Sequence, residues 1–320
     1  MRFVALSLAL TLAAAPDRAF AQVAQVAQRT APVEAAKQNP DFITPHISDA
    51  RHIEVPWPSF KDNLTREIEL PQWAPVHLGP FTLDLSPTKH VVMMLLAFTI
   101  CALALIGAAR SQGRHAASGH PPKGFANALE ATVLYLRNEI ILPSVGHNGD
   151  KYVPFCLTLF FFILVMNLLG LLPWGASATG NVSVTATLAI CSFIVVEVAG
   201  MRALGRKYVS TIVYWPHDMP MAIRVPITLI MTPIELISKI TKPLALTIRL
   251  FANMTAGHVL VLALISLVFT FGAMSRWLVL PPLLAATAIM VLELLVAFLQ
   301  AFVFTLLTAV FIGQIRESAH

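Results

Sequence analysis

The chain has 320 residues, of which 57% are hydrophobic and only 12% are charged, and its mean hydropathy is +0.72. A soluble domain of ordinary composition carries about twice that charged fraction. The formal net charge is +5, and the basic residues lie mainly in loops between apolar runs. This pattern is typical of membrane topology and gives no reason to expect a nucleic-acid partner. The composition therefore excludes an ordinary soluble domain and favours an integral membrane protein.

Residues 1–21 have the pattern of a cleavable signal peptide. Arg2 supplies the positive start, Phe3 to Ala15 form an apolar stretch, and Ala19-Phe20-Ala21 is a small-x-small cleavage site. The apolar stretch is too short to span a bilayer, and an uncleaved anchor is the alternative. Either way the next segment is exported, so we expect a bacterial inner-membrane protein whose mature N-terminus lies outside.

Residues 22–87 are polar and rich in proline, which prevents long helices. We expect a small extracytoplasmic extension in which the alternations at 52–55 and 82–85 form short strands. His46, Asp49 and His52 have a spacing that a metal could use on a helix, but the prolines that flank them favour a loop without metal.

Five long apolar runs follow, and each is long enough to cross a membrane. With the N-terminus outside, the loops 110–152 and 202–225 and the C-terminus lie inside. The runs cover residues 91–109, 153–173, 182–201, 226–271 and 277–315, and the inside segments hold Arg110, Arg114, Lys123, Arg137, Lys151, Arg202, Arg206, Lys207, Arg224 and Arg316. The outside flanks hold only Lys89 and Arg276, as the positive-inside rule requires.

The first inside loop contains an amphipathic segment. From Phe125 to Pro143 the apolar positions Leu129, Val133, Leu136 and Ile140 recur at helical spacing. The pattern predicts a helix that lies on the cytoplasmic membrane surface, and a helix packed against partner protein is equally consistent.

The last two runs, 226–271 and 277–315, are much longer than a perpendicular crossing needs. Only Pro233 and Pro243 interrupt the first of them, and additional crossings would upset the charge asymmetry. We therefore expect two long, steeply tilted helices rather than extra crossings.

Arg249 is the most informative residue of these runs. It is a permanent cation in a largely apolar segment, and no acidic residue lies within ten positions of it. An arginine at the bilayer centre costs about 2.5–3.5 kcal/mol on insertion scales, and its guanidinium cannot shed the proton to avoid that cost. The side chain must face an aqueous cavity or a carboxylate from elsewhere. A structural ion pair with Glu293 on the last helix is the alternative.

Helical spacing orders the residues around Arg249. Glu235 and Lys242 lie fourteen and seven residues before it and share its face, and Asn253 lies one turn after it. In the predicted topology Glu235 lies toward the cytoplasm and His258 toward the outside, where Glu293 also lies. Titratable groups on both sides of one permanent cation are what two offset proton paths need, with the cation preventing a direct leak.

Several motifs together resemble subunit a of the rotary ATP synthases, over roughly residues 88–320. The stretch from Arg249 to His258 resembles the signature around that family's essential arginine, and Gln300-Ala301-Phe302-Val303-Phe304 resembles its last-helix motif. Asn167-Leu168-Leu169-Gly170-Leu171-Leu172-Pro173 and Asn181-Val182-Ser183-Val184-Thr185 are similar to two further segments. Some members have an acid in the first of these segments, where this chain has Gly170.

The resemblance implies an all-α membrane protein of about five transmembrane helices, with residues 88–320 as the proton-channel domain. It implies that Arg249 faces a ring of c subunits, that His258 and Glu293 line the outer half-channel, and that Glu235 lines the cytoplasmic one. Asn253 and Gln300 would lie near the arginine. The implied partners are the ring, the peripheral-stalk b subunits, the lipid bilayer and, indirectly, the catalytic head.

Two rival classes remain to be weighed. A self-contained ion-coupled transporter would use the same charges, but such proteins usually contain an internal repeat, and none is convincing here. A membrane hydrolase is disfavoured, because no nucleophile, zinc or phosphate-binding motif occurs, and we expect no catalytic residue, cofactor or metal. Glu197 is a further membrane carboxylate, for which pairing with Arg202 or Lys207 and a channel role stand as equal alternatives. His258 with Glu293 favours protons over sodium ions.

Overall fold

The computed structural model describes residues 50–56, 65–73, 76–78, 81–83, 86–118, 124–172, 175, 177–213, 215, 220–274 and 276–317. The predicted signal peptide at 1–21, the first part of the predicted extension and two of the three candidate metal ligands, His46 and Asp49, lie outside these residues.

Among the described residues, two short antiparallel strand pairs precede the membrane helices. Strand β1 (His52–Pro56) pairs antiparallel with β2 (Thr65–Glu69), and β3 (Val76–Leu78) pairs antiparallel with β4 (Phe81–Leu83). The alternating sequence at 52–55 therefore forms a strand as predicted. Of the second alternation, at 82–85, the first two residues belong to β4, and the other two lie outside the described residues. Lys89 N, at the start of the first membrane helix, donates a 3.0 Å hydrogen bond to Ala50 O, which lies just before the first strand.

Seven α-helices follow in the part of the chain that the structure describes. They are α1 (Lys89–Ser118), α2 (Phe125–Tyr135), α3 (Leu142–Val145), α4 (Val153–Gly170), α5 (Val182–Leu204), α6 (Met221–Met274) and α7 (Leu280–Glu317). A π-helical turn at Leu136–Ile141 joins α2 to α3, so the amphipathic segment from Phe125 to Pro143 is helical as predicted. Five helices in the described part of the chain are long and apolar enough to cross a membrane, and the chain is an all-α, multi-pass membrane protein.

The two longest helices, α6 and α7, each run without a break. At 1.5 Å per residue α6 is about 80 Å long and α7 about 57 Å, against a hydrocarbon thickness of about 30 Å. Pro226, Pro233 and Pro243 lie inside α6 without ending it. Because neither run contains a turn, extra crossings within them are excluded, and the steep tilt stays a prediction.

The core lies around α4, where Phe160, Ile163 and Met166 are fully buried. Helix α7 packs against α4, α5 and α6, while α1 packs against α4. Asn181 caps α5 by accepting a 2.9 Å hydrogen bond from Ser183 N, and Gly205 follows the helix with a φ of 55°, a conformation that favours glycine. One long face of α6, which includes Ile234 and Leu260, is not covered by the other described residues.

Candidate functional site

Arg249 lies on the uncovered face of α6. Its neighbours on that face are exposed and small: Ala245 one turn before it, Ala252 and Asn253 one turn after it, and Ala256 two turns after it. Small side chains around a cation allow another helix to approach closely. The local surface is therefore suited to a partner helix that carries a carboxylate.

Arg249 has no ion-pair or hydrogen-bonding partner among the described residues, and neither Asn253 nor Gln300 bonds to it there. Glu293 is 7% exposed, in contrast to the exposed Arg249. The structure thus does not favour the alternative of a structural ion pair between Arg249 and Glu293. It leaves Arg249 open to a charge supplied by another subunit.

Glu293 is buried where α7 faces α6, and its carboxylate contacts the backbone of Gly257. A Cβ atom at Gly257 would collide with Glu293 Oε1 and lie 2.9 Å from the carboxyl carbon. Glu293 Oε1 is buried and has no hydrogen-bonding partner among the described residues. The half-buried His258 is the next residue after Gly257. The two residues that the sequence assigns to the outer path are therefore brought to the same level of the α6–α7 interface.

Glu235 lies in a different place, on the lining of a cavity of about 350 Å³ between α5, α6 and α7. Charged, hydroxyl and amide side chains share this lining with apolar ones: Glu197, Glu235, Lys239, Lys242, Ser192, Ser210, Thr211, Thr308, Gln314, Phe193, Val196, Leu246 and Phe311. The cavity is large enough for water and offers several hydrogen-bonding groups to it.

The ion pair of Glu197 differs from the prediction. Its partner is neither Arg202 nor Lys207 but Lys239 on α6, whose Nζ lies 3.1 Å from Glu197 Oε2. Arg202 and Lys207 are exposed, whereas Lys239 is 8% exposed and needs compensation for its buried charge. Lys239 is four residues after Glu235, only about 40° around the helix from it, so the helical pattern could have identified it as a neighbour of the predicted stripe.

Buried polar residues form a hydrogen-bonded series, here called the polar chain, that the sequence did not predict. Its first residue, Asn167, opens one of the motifs that resemble the family. Asn167 Nδ2 donates to Ala297 O at 3.1 Å, and Thr179 Oγ1 donates to Asn167 Oδ1 at 2.7 Å. Ser177 and Thr179 share a further hydrogen bond of 2.9 Å. The polar chain connects α4 to α7 at Ala297, one turn past Glu293, and connects α4 to the segment before α5.

Gly170 leaves no room for the acid that some proteins with the resembling motif carry. A Cβ atom there would lie 2.5 Å from Ser177 Cβ and 2.7 Å from Met254 Cε on α6. Close packing of helices, rather than a titratable group, is what this position provides.

Comparison with known proteins agrees with the motifs. Residues 91–313 match the family described as ATP synthase A chain. The chain is 41% identical over 272 residues to ATP synthase subunit a of Chloroherpeton thalassium, covering 84% of this chain and 77% of the relative. It is 41% identical to ATP synthase subunit a 2 of Chlorobaculum tepidum over 87% of this chain and 74% of the relative. It is 44% identical to ATP synthase subunit a of Myxococcus xanthus over 74% of this chain and 75% of the relative.

Proposed function

Because the chain belongs to the ATP synthase A chain family, we propose that it forms two offset proton half-channels against a ring of c subunits and couples proton flow to rotation of that ring. The chain itself catalyses no bond chemistry in this role. The observation that supports the proposal most strongly is the isolated, exposed guanidinium of Arg249 between two separate titratable sites.

The separation of the two sites is large enough to prevent a direct leak. Glu235 precedes Arg249 by fourteen residues and His258 follows it by nine, so the two titratable residues are about 35 Å apart along α6 at 1.5 Å per residue. Proton transfer requires hydrogen-bonding distance or a bridging water. A proton that enters on one side must therefore be carried to the other by a moving group.

That moving group is a carboxylate of each ring subunit. A proton enters from outside past His258 and Glu293 and neutralises the ring carboxylate, which can then turn through lipid at low cost. After rotation the carboxylate meets Arg249, whose positive charge favours its ionised form. The released proton leaves past Glu235 through the cavity on the cytoplasmic side. Asn253 lies one turn after Arg249, and Gln300 belongs to the neighbouring helix α7. In this proposal the two amides order the water or side chains around the exchange.

The partners follow from this mechanism. The uncovered face of α6 binds the ring, the peripheral-stalk b subunits hold the chain still, and the catalytic head receives the energy only through rotation. Moving one charge through the membrane provides about 2.3 kcal/mol per 100 mV. The chain lies in the bacterial inner membrane with its mature N-terminus outside and its C-terminus in the cytoplasm.

The test is to substitute Arg249 in the intact complex of the native membrane. We expect Arg249→Ala and Arg249→Lys to abolish ATP synthesis driven by a proton gradient while the complex still assembles, since a lysine cannot reproduce the planar guanidinium. Full ATP synthesis in Arg249→Ala would refute the mechanism.

A second measurement separates the proposal from its rival. The purified chain reconstituted alone in liposomes should move no protons, because the ring carboxylates are absent, and its purification from native membranes should recover the ring and head subunits. Ion transport by the chain alone, purified as a homo-oligomer, would favour the self-contained transporter.

A further inference from the structure

The cavity that contains Glu235 also contains a buried ion pair with no assigned role. Glu197 on α5 and Lys239 on α6 are bridged at 3.1 Å, with side chains 15% and 10% exposed. Tyr208 and Thr211, from the 3₁₀ segment Gly205–Thr211 that follows α5, complete the cluster. Three consecutive parts of the chain thus meet at this pair, next to the proposed cytoplasmic path.

Both members of the ion pair have several hydrogen-bonding partners. Lys239 Nζ donates to both carboxylate oxygens of Glu197 and to Thr211 Oγ1 at 3.2 Å, and it lies 3.4 Å from the Tyr208 hydroxyl oxygen. The Tyr208 hydroxyl donates to Glu197 Oε2, and the Lys239 ammonium lies 4.7 Å from the centre of the Tyr208 ring. A buried ion pair with this many hydrogen-bonding partners is well satisfied and holds both side chains in fixed positions.

The charges of the cavity can be assigned to the elements that surround it. Helix α5 contributes Glu197, and α6 contributes Glu235, Lys239 and Lys242. Tyr208 belongs to the 3₁₀ segment, and α7 lines the cavity with Thr308 and Gln314, which carry no charge. The Lys242 ammonium lies 4.8 Å from the centre of the Phe311 ring. Once Glu197 and Lys239 compensate each other, Glu235 is the one carboxylate of the described lining that has no opposite charge bonded to it.

We infer that Glu197 and Lys239 are a positioning pair whose mutual compensation leaves neither charge of the pair free to act on Glu235, so that Glu235 is the carboxylate that exchanges protons in this cavity. The inference rests on the proposed function, in which Glu235 passes protons to the cytoplasm. The buried Lys239 is one helical turn from the exposed Glu235, so either charge of the pair, left alone, would act on Glu235 at short range.

The test uses the intact ATP synthase in inverted membrane vesicles, where the cytoplasmic face is accessible. The variants are Glu197→Gln, Lys239→Gln and the double variant, because glutamine keeps hydrogen-bonding groups while it removes one charge. Arg202→Gln is the matched control, since Arg202 is an exposed cation on α5 outside the cavity lining. ATP-driven proton pumping is measured against the external pH and expressed relative to Arg202→Gln, so that the pH dependence of the shared catalytic head cancels.

The two single variants are expected to shift the pumping profile in opposite directions. ATP-driven pumping takes protons from the external medium, so it is lost when the pH becomes too high for Glu235 to be protonated. Glu197→Gln leaves Lys239 uncompensated, which opposes protonation of Glu235, so this loss occurs at a lower pH. Lys239→Gln leaves Glu197 as a second negative charge, so the loss moves to a higher pH. Each shift should be roughly one pH unit, and the double variant should return to the control profile.

A purely structural pair would lower the amount of assembled complex without opposite pH shifts. Shifts in the same direction, unshifted profiles, or a double variant that stays shifted would overturn the inference. If a single variant does not assemble, the double variant still has to assemble and to show the control profile, and its failure to do so also counts against the pair.

Glu235→Gln separates this inference from the proposed function. Normal pumping in Glu235→Gln would remove Glu235 from the proton path and refute that part of the proposed function. Impaired pumping in Glu235→Gln, together with unshifted profiles in the pair variants, would refute the positioning role alone.

Discussion

The carboxylate of Glu293 on α7 packs directly against the backbone of Gly257 on α6, and His258 is the next residue. This contact is possible only because residue 257 has no side chain. It fixes a buried acid at the level of a histidine that belongs to the other helix, and so connects two residues that the sequence separates by 35 positions. The contact leads to the first prediction.

Gly257→Ala should impair proton translocation by displacing Glu293. The added methyl group would collide with Glu293 Oε1, and Cγ of Glu293 would lie only 3.0 Å away. The Glu293 carboxylate would have to move away from the added methyl group, and a displacement of about 1 Å at a functional group can cost roughly a hundredfold in rate. We therefore expect ATP-driven pumping in membrane vesicles to fall by roughly tenfold to a hundredfold while the complex still assembles.

Gly107→Ala is the control for this substitution, because a Cβ at Gly107 in α1 has no atom within 4 Å. Adding Glu293→Asp to Gly257→Ala shortens the acid by one methylene and should restore part of the pumping. Equal pumping in the Gly257→Ala and Gly107→Ala complexes would contradict the prediction.

The polar chain through Asn167 should contribute to stability rather than to proton transfer. Asn167→Ala removes two buried hydrogen bonds, one with the Thr179 hydroxyl and one with the Ala297 carbonyl, and each such bond contributes about 0.5–1.5 kcal/mol. We expect a lower unfolding temperature of the detergent-solubilised complex, measured by intrinsic fluorescence or by loss of assembly.

A double-mutant cycle with Thr179→Val tests whether the two residues act together. The coupling between them should lie in the range of about 0.5–3 kcal/mol that contacting residues show. Thr158→Val serves as the control, because Thr158 is exposed on the same helix as Asn167 and its hydroxyl bonds, among the described residues, only to Pro154 O of its own turn. Additive effects of Asn167→Ala and Thr179→Val would argue against the chain.

Much of this architecture could be predicted from the sequence because a bilayer imposes strict demands on it. Apolar runs of sufficient length gave the five membrane helices, and the absence of a turn signal within 226–271 correctly predicted one helix, α6, despite its prolines. The cost of a lone arginine in lipid singled out Arg249. These arguments need only the local sequence and the solvent.

Pairings between helices could not be predicted in the same way. Lys239 and Glu197 are 42 positions apart, and Asn167 and Ala297 are 130 apart. Which cation meets Glu197 depends on how α5 and α6 rotate against each other, and the nearby Arg202 and Lys207 were the wrong choice because both remain exposed. Similarly, the contact between Gly257 and Glu293 depends on the register of α6 against α7.

Gly170→Ala should destabilise the contact between α4 and α6. The new methyl group would lie 2.5 Å from Ser177 Cβ and 2.7 Å from Met254 Cε, so we expect a loss of about 1–3 kcal/mol and a lower yield of assembled complex. Met254→Ala in the same chain should recover part of that loss by removing one of the two obstacles. A Gly170→Ala complex as stable as Gly107→Ala would show that the site is not tightly packed.

The C-terminal end of α7 holds the segment after α3 through Arg316, and the geometry predicts that lysine cannot replace it. Arg316 Nη1 donates to Val145 O at 2.9 Å, Nη2 donates to His147 O, and the guanidinium lies 5.5 Å from the centre of the Tyr152 ring. A lysine has one compact ammonium and cannot make the forked contact and the stacking together, so Arg316→Lys should lower stability by about 1 kcal/mol.

Arg137→Lys is the matched control, since its salt bridge with Asp150 involves side chains that are 41% and 70% exposed, and surface pairs contribute about 0–1 kcal/mol. Limited proteolysis of the loop between α3 and α4 in membranes measures the difference, and equal protection in the two variants would mean that Arg316 anchors nothing.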